Sequence, residues 1–323
     1  MVKAIQVHQP GGVEELKYED VSLAAPGPGE VQIRHRAIGV NFIDIDRRSG
    51  VDPESYTFIP GHEGAGEVMA LGEGVKEFKI GERVAYIGAL GGYSEARNIE
   101  AASLIHLPKS ISFDQGAAMM LKGLTAQYLL RRTFRVKKGH SILIHAGAGG
   151  TGQLLCQWAN ALGAKVIATV GSAEKAEVAL AAGAHHVILY REENFAQSVR
   201  ELTKGKLCDV VYDGVGQATF PASLDCLKPF GLFVSFGSAS GPISAFELGL
   251  LTQKGSLYAT RPSLFDYIAR RKDYESMTQD LLKAIKRGDV TISPPDCYPL
   301  SDAQGVHAAL EGRGTTGALT LIP

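Results

Sequence analysis

The stretch His145–Gly163, "HAGAGGTGQLLCQWANALG", decides the fold. It follows "SILI" at Ser141–Ile144, an apolar run of strand character. Gly147, Gly149 and Gly152 form a G-x-G-x-x-G. Leu154, Leu155, Trp158 and Leu162 then recur at helical spacing, and the helix stops at Gly163. A strand, a glycine-rich turn and an amphipathic helix in this order make a pyrophosphate site. The first glycine permits the tight turn, and the second lets the backbone approach the anion. The third lets the helix pack closely, and the helix N-terminus offers free N–H groups. A plain glycine-rich βα turn is the competing reading.

Working outward, "KVIATV" predicts the next strand, and "SAEKAEVALAAG" the next helix, closed by Gly183. "HHVILY", "CDVVYDGVG", "GLFVSFG" and "GSLYAT" predict further strands, with helices at "FAQSVRELTKG" and "FPASLDCLKPFG". This order implies a parallel sheet covered on both faces. Upstream, "VKAIQVH", "GEVQIRHRAIGV", "GAGEVMALG" and "GERVAYIG" are short runs of strand character bounded by Gly, Pro or Asp. Beyond Thr260 come an amphipathic helix, "YESMTQDLLKAIKRG", and an apolar strand, "GALTLIP", that can rejoin the first domain. The expected architecture is α/β: a doubly wound dinucleotide domain over residues 122–260, inserted into a mainly β domain of residues 1–121 and 261–323.

The second strand of the inserted domain ends in "ATVGSAEK". Gly171 and Ser172 stand where an acid would hold an adenine ribose diol; Glu174 comes later and Lys175 follows it. A hydroxyl and a cation at a strand end suit a 2′-phosphate. The alternative is a helix N-cap at Ser172 and a solvated Lys175.

The 323 residues carry 33 Lys+Arg and 34 Asp+Glu, a formal charge of −1, with no basic footprint for nucleic acid. No apolar run approaches the roughly 20 residues that span a bilayer. "MVKAIQVHQPGG" reads as a strand and turn rather than a signal segment, so the expected location is the cytoplasm. Cys156, Cys208, Cys226 and Cys297 are scattered, without a C-x-x-C, and read as free thiols. His185 and His186 read as a solvated turn. Arg131, Arg132, Arg135, Lys137 and Lys138 read as a solvated helix end.

These motifs, with "PGHEGAGEV" (Pro60–Val68), "LKGLTAQYLL", "SFGSASG", "KGSLYATRPSL" and the terminal "LIP", resemble the NADPH-dependent quinone oxidoreductases. These are zeta-crystallin-like members of the medium-chain dehydrogenase/reductase superfamily. The resemblance covers essentially the whole chain. It implies a GroES-like first domain, a Rossmann domain, NADPH as cofactor, and homodimers joined through Rossmann edge strands near "KGSLYAT". It further implies that Gly149, Gly150, Thr151 and Gly152 cradle the pyrophosphate. Ser172, Lys175, Tyr190 and Arg313 would surround the adenosine end. Val215, Gly216, Phe236, Gly237 and Ser238 would lie near the nicotinamide, with Thr125 bonding nicotinamide or ribose.

In zinc-dependent relatives the Gly-His-Glu of "PGHEG" supplies metal ligands together with cysteines. Here "AIGVNFIDID" holds Asn41 and Asp44 but no cysteine, and none occurs between Val84 and Leu121. No metal is expected at His62 and Glu63. Family members read N-x-x-D-x-Y where this chain reads "NFIDID", so Asp46 replaces the tyrosine that borders the nicotinamide pocket. The resulting expectation is zinc-independent NADPH:quinone reduction. The alternatives are an enoyl or enone reductase on the same scaffold, or a non-enzymatic NADPH-binding protein with a structural or RNA-binding role.

Overall fold

The computed structural model describes residues 1–51, 55–312 and 314–323. The chain divides into two compact units, Met1–Leu121 with Ile292–Pro323, and Lys122–Thr291.

In the first unit, β1 (Val2–Gln6) and β2 (Lys17–Val21) pair antiparallel. The long strand β3 (Glu30–Val40) alternates as a half-buried strand should. Val31, Ile33 and Ala37 point inward, Arg34 and Arg36 outward. It pairs antiparallel with β4 (Glu63–Leu71), which pairs with β5 (Arg83–Ile87). Strand β6 (Ala96–Glu100) joins β3, and β7 (Leu104–His106) joins β5. Helix α1 (Phe42–Ser49) follows β3 directly, and α2 (Phe113–Tyr128) carries the chain across the division after Leu121.

The second unit contains β8 (Ser141–His145), β9 (Lys165–Val170), β10 (His186–Leu189), β11 (Cys208–Asp213), β12 (Leu227–Ser235) and β13 (Tyr258–Thr260). Their order is β10-β9-β8-β11-β12-β13, and every pairing is parallel. The order reverses between β8 and β11, the doubly wound arrangement whose crevice receives ligands at the carboxyl ends of the strands. The connecting helices include α3 (Gly150–Ala161), α4 (Ala173–Ala181) and α5 (Phe195–Leu202). Leu143, Ile167, Ile188, Val199, Val211 and Phe233 share one buried core.

Short helices α6 (Gly249–Gln253) and α7 (Leu264–Ile268) precede α8 (Arg271–Arg287). The second unit therefore extends to Thr291, beyond the boundary expected at residue 260. The reason lies in α8, which buries Tyr274, Met277, Leu281 and Ala284. Leu281 fits so closely against Gly123 of α2 that a methyl there would come within 2.6 Å of it. A second departure is "FPASLDCLKPFG", which forms only a 3-10 turn at Ala222–Cys226. Leu227 already pairs with Cys208 in the sheet, so no room remains for a helix.

The chain returns to the first unit as β14 (Asp296–Pro299), α9 (Ala303–Glu311) and β15 (Leu319–Ile322). Strand β15 pairs with β3, as the terminal apolar run suggested, and β14 pairs parallel with β15.

Two buried histidines make this unit acid-sensitive. His35 donates from Nδ1 to the Ser94 carbonyl at 2.6 Å and accepts from the Tyr86 hydroxyl at 2.8 Å. His307 accepts from Arg48 at 3.2 Å, and its Nε2 lies 2.9 Å from the Tyr93 hydroxyl. Burial first, then Arg97 and Arg48 respectively, push each from 6.5 down to about 3. Each folded pKa lies below its unfolded value, so its stabilisation is complete above pH 6.5 and is lost as pH falls towards about 3. The two protons together give a slope of about 2.7 kcal/mol per pH unit in that window. Urea unfolding between about pH 6 and 4 checks this: His307→Gln should lower the slope by about half. An unchanged slope in the variant would contradict the assignment.

Candidate active site

The turn after β8 has the geometry of an anion cradle. Ala146 is left-handed at φ 55°, and Gly147 N–H donates to the Thr169 carbonyl at 3.1 Å, tying the turn to β9. Gly149 caps α3 without any side-chain capping bond, and the first turn has no acid. The N–H groups of Gly150, Thr151 and Gly152 thus lie at a helix N-terminus that carries partial positive charge. The three motif glycines are constrained differently. A Cβ on Gly147 would sit 2.6 Å from Ala168 Cβ, and one on Gly152 would sit 2.2 Å from the Ala146 carbonyl oxygen. At Gly149 the nearest atom is 3.3 Å away, and φ is −73°. The protein's own packing requires the outer two glycines, whereas a Cβ at the middle one would press only on the Ala146 carbonyl oxygen, by a few tenths of an ångström.

At the end of β9 no carboxylate occupies the strand terminus. Ser172 caps α4, its hydroxyl accepting the Lys175 N–H at 3.4 Å. Glu174 is exposed, and its hydrogen bond to Ser172 holds its carboxyl below the ordinary range. Lys175 and Tyr190 are half-buried. Tyr190 and Arg191 come together over Gly171: a Cβ there would lie 3.2 Å from the Tyr190 hydroxyl and 3.3 Å from Arg191 Nε. Arg191 also lies over the Tyr190 ring at 6.0 Å. This second cation was missed in the sequence, where "YREE" gave no signal beyond its neighbour. Arg313 lies outside the described residues.

The loops after β11 and β12 interlock. Ser240 N–H donates to Val215 O at 2.8 Å, Gln217 N–H to Gly241 O at 3.0 Å, and Phe236 N–H to Asp213 O at 2.8 Å. Val215, Gly216, Phe236, Gly237 and Ser238 are therefore brought together at the carboxyl edge of the sheet. Two features beside them escaped sequence reading. Arg261, just past β13, donates to Ser235 Oγ at 3.1 Å. Tyr128 stacks on Tyr267 at 4.6 Å and 10°, and burial, more than Tyr267, pushes its phenol upward while Arg261 opposes. Thr125 is buried one helical turn before Tyr128.

In the first unit His62 and Glu63 are engaged by their own surroundings. Glu63 is fully buried; it accepts Asn41 Nδ2–H at 2.7 Å on one oxygen and Leu121 N–H at 2.7 Å on the other. His62 donates from Nδ1 to the Gly88 carbonyl at 2.8 Å. Asp44 has no exposed surface: it completes a capping box with Asn41 and accepts the Tyr93 hydroxyl at 3.1 Å. Of the sequence-predicted trio on this segment, only Asp46 is half-exposed. Among the described residues no group of three His, Cys, Asp or Glu is arranged to hold a metal. Cys156, Cys208 and Cys226 lie buried in the second unit, and Cys297 is exposed. The donors present do not make a zinc site.

Residues 150–283 match the family described as zinc-binding dehydrogenase, and residues 27–109 match the alcohol dehydrogenase GroES-like domain. A quinone oxidoreductase of Pseudomonas aeruginosa is 50% identical over 327 residues, covering 100% of both chains. The 2-haloacrylate reductase of a Burkholderia species is 43% identical, covering 100% of this chain and 99% of its own. The solved structure of Escherichia coli quinone oxidoreductase complexed with NADPH superposes with a TM-score of 0.97 at 48% identity, over 99% of this chain and 100% of the other. The chain belongs to the quinone oxidoreductase family of the medium-chain dehydrogenase/reductase superfamily.

Proposed function

We propose that the chain is a zinc-independent NADPH:quinone oxidoreductase. The observation that carries this is the pairing of an open pyrophosphate turn with an acid-free strand end bearing Lys175, Tyr190 and Arg191. The outer glycines are packed shut and Gly149 is the least crowded of the three, which fits a ligand whose phosphates approach the backbone there. Gly149, Gly150, Thr151 and Gly152 would hold the pyrophosphate. Ser172, Lys175, Tyr190, Arg191 and Arg313 would hold the 2′-phosphate. Thr125, Val215, Gly216, Phe236, Gly237 and Ser238 would line the nicotinamide end, with Asp46 on the acceptor side and the buried Asn41 and Asp44 holding its segment in place.

When bound, NADPH supplies the reducing equivalents. The chain's own contribution is to bind, orient and exclude water. Without a Lewis acid to polarise a simple ketone, the acceptor must be electrophilic already. Quinones meet that requirement, and bulk water can protonate the reduced oxygens. Asp46 is therefore not required: Asp46→Ala should keep kcat within about tenfold, roughly 1.4 kcal/mol. A loss of three orders of magnitude in steady-state assays would make Asp46 the proton donor.

A reading as an enone reductase has one specific support, the 43% identity to a 2-haloacrylate reductase, whose name denotes reduction of an activated alkene. Rates of NADPH oxidation with a para-quinone, a 2-haloacrylate and an enoyl thioester separate the two. A higher kcat/KM for either alkene would replace the quinone assignment. Tight NADPH binding without turnover of any acceptor would favour the non-enzymatic role, although the near-neutral charge argues against RNA.

A homodimer and a cytoplasmic location belong to the same proposal. The edge strand β13 exposes Tyr258, and Phe230 and Leu248 are exposed on neighbouring segments of the same unit. Such an edge is managed by pairing with a second copy. No helix among the described residues is long and apolar enough to cross a membrane.

A further inference from the structure

His145 and Asp213 end the two adjacent strands, β8 and β11, between which the strand order reverses. Both side chains are buried, at 1% and 0% exposure. Ser223 bridges them: its hydroxyl lies 2.9 Å from His145 Nε2 and 3.2 Å from Asp213 Oδ2, and also 3.0 Å from the Thr219 carbonyl. The other imidazole nitrogen lies 2.8 Å from the Thr169 hydroxyl. The Asp213 carboxylate accepts three further bonds, from Val215 N–H at 2.8 Å, Gly216 N–H at 2.9 Å and the Thr219 hydroxyl at 2.6 Å.

The chemistry of the donors fixes the direction of the chain. The single Ser223 proton faces two groups that only accept, the Thr219 carbonyl and the Asp213 carboxylate; shared between them, it leaves the hydroxyl oxygen to accept Nε2–H from His145. Nδ1 of His145 then accepts from Thr169. Burial, opposed by Asp213, lowers the His145 pKa and keeps the ring neutral, as this pattern requires. Thr169 in turn offers its backbone carbonyl to Gly147 of the glycine turn. The network thus bonds the loop after β11 directly and braces the turn at Ala222–Cys226, while it reaches the glycine turn only at third hand, through the backbone of Thr169.

A carboxylate with neutral partners is costly to bury, and an apolar side chain would suit a sheet interior better. What Asp213 gains is loop geometry. Gly216 is held at φ 91°, where a Cβ would lie 2.5 Å from the Gly241 carbonyl oxygen, so its placement sets that of the loop after β12.

We infer that Asp213, braced by Ser223 and His145, is a positioning residue that sets the loops Gly214–Ala218 and Phe236–Gly241 for the nicotinamide half of the cofactor. This rests on the NADPH reading above. The adenosine half is held by other segments, the glycine turn and the ends of β9 and β10. The two halves should therefore respond differently to loss of Asp213, which a general loss of stability would not produce.

The test compares NADPH with adenosine 2′,5′-bisphosphate, a ligand that fills the adenosine half alone, by fluorescence titration and competition. Asp213→Asn should raise the Kd for NADPH about tenfold or more and lower kcat with a para-quinone, while the Kd for the bisphosphate stays within about twofold. Ser223→Ala and Thr219→Val should do the same to a smaller degree. They carry the comparison if Asp213→Asn does not fold. Equal weakening of both ligands, or no weakening of either, would overturn the inference. A wild type that binds neither would sink the NADPH reading and this inference with it.

Discussion

Gly152→Ala should cost about 3 kcal/mol of stability or more, whereas Gly149→Ala should fold like the wild type and bind NADPH at least about tenfold more weakly. The two residues lie in one turn, three positions apart, and the same methyl is added to each. At Gly152 the new carbon would lie 2.2 Å from the Ala146 carbonyl oxygen and 2.9 Å from Gly147 Cα. Both are backbone atoms of the turn itself, so the clash is relieved only by moving α3 or β8. At Gly149 the backbone is extended, a conformation open to any residue, and the nearest atom is 3.3 Å away. The Ala146 carbonyl need give only a few tenths of an ångström to accept that methyl, whereas a ligand using the first-turn N–H groups of α3 would meet it directly. Thermal unfolding and cofactor titration of the two variants read the two effects separately. If Gly149→Ala binds NADPH as the wild type does, the turn is not the pyrophosphate site.

The second large effect concerns cofactor choice: kcat/KM should favour NADPH over NADH by roughly 10²- to 10⁴-fold. No acid stands at the end of β9 to bind a ribose diol or repel a phosphate. Lys175, Tyr190 and Arg191 gather there instead, beside the N-terminus of α4. A charge-assisted hydrogen bond contributes about 1.5–3 kcal/mol, and these side chains are partly solvated, so two or more must act together to reach that range. Glu174 works against it only weakly, since it is exposed and turned to Ser172. Lys175→Ala, Arg191→Ala and Arg313→Ala should each narrow the ratio by lowering the NADPH value and leaving the NADH value nearly unchanged. Equal use of both cofactors by the wild type, or variants that lose both equally, would refute this pocket.

The doubly wound sheet was legible because its signals are local. Each strand is a short apolar run, each helix repeats at 3.6 residues, and the glycine turn has its steric causes in itself and in the next strand. The boundary of the inserted unit was less legible. The helix Arg271–Arg287 is amphipathic in either domain, and only its fit of Leu281 against Gly123, far upstream, decides where it belongs. The same holds for Glu63. Sequence could say that it lacked zinc-ligand partners, but not that Asn41 and the Leu121 N–H would each take one of its oxygens. Arg191, Arg261 and Tyr128 were invisible because a lone Arg or Tyr has no spacing pattern; the order of the parallel strands places the two arginines, and the fold of α2 against Tyr267 places Tyr128. Asp44 was read as a pocket residue by resemblance, while its capping box and its bond to Tyr93 bury it completely.

The central claim is metal-free reduction of a quinone by NADPH. Its most direct measurement is NADPH oxidation after addition of para-benzoquinone, with and without prior chelation and with the zinc content of the same sample determined. Turnover that needs both NADPH and quinone, is unchanged by the chelator and proceeds without stoichiometric zinc is the expected result. No turnover above background, or turnover abolished by chelation and restored by zinc, would contradict it.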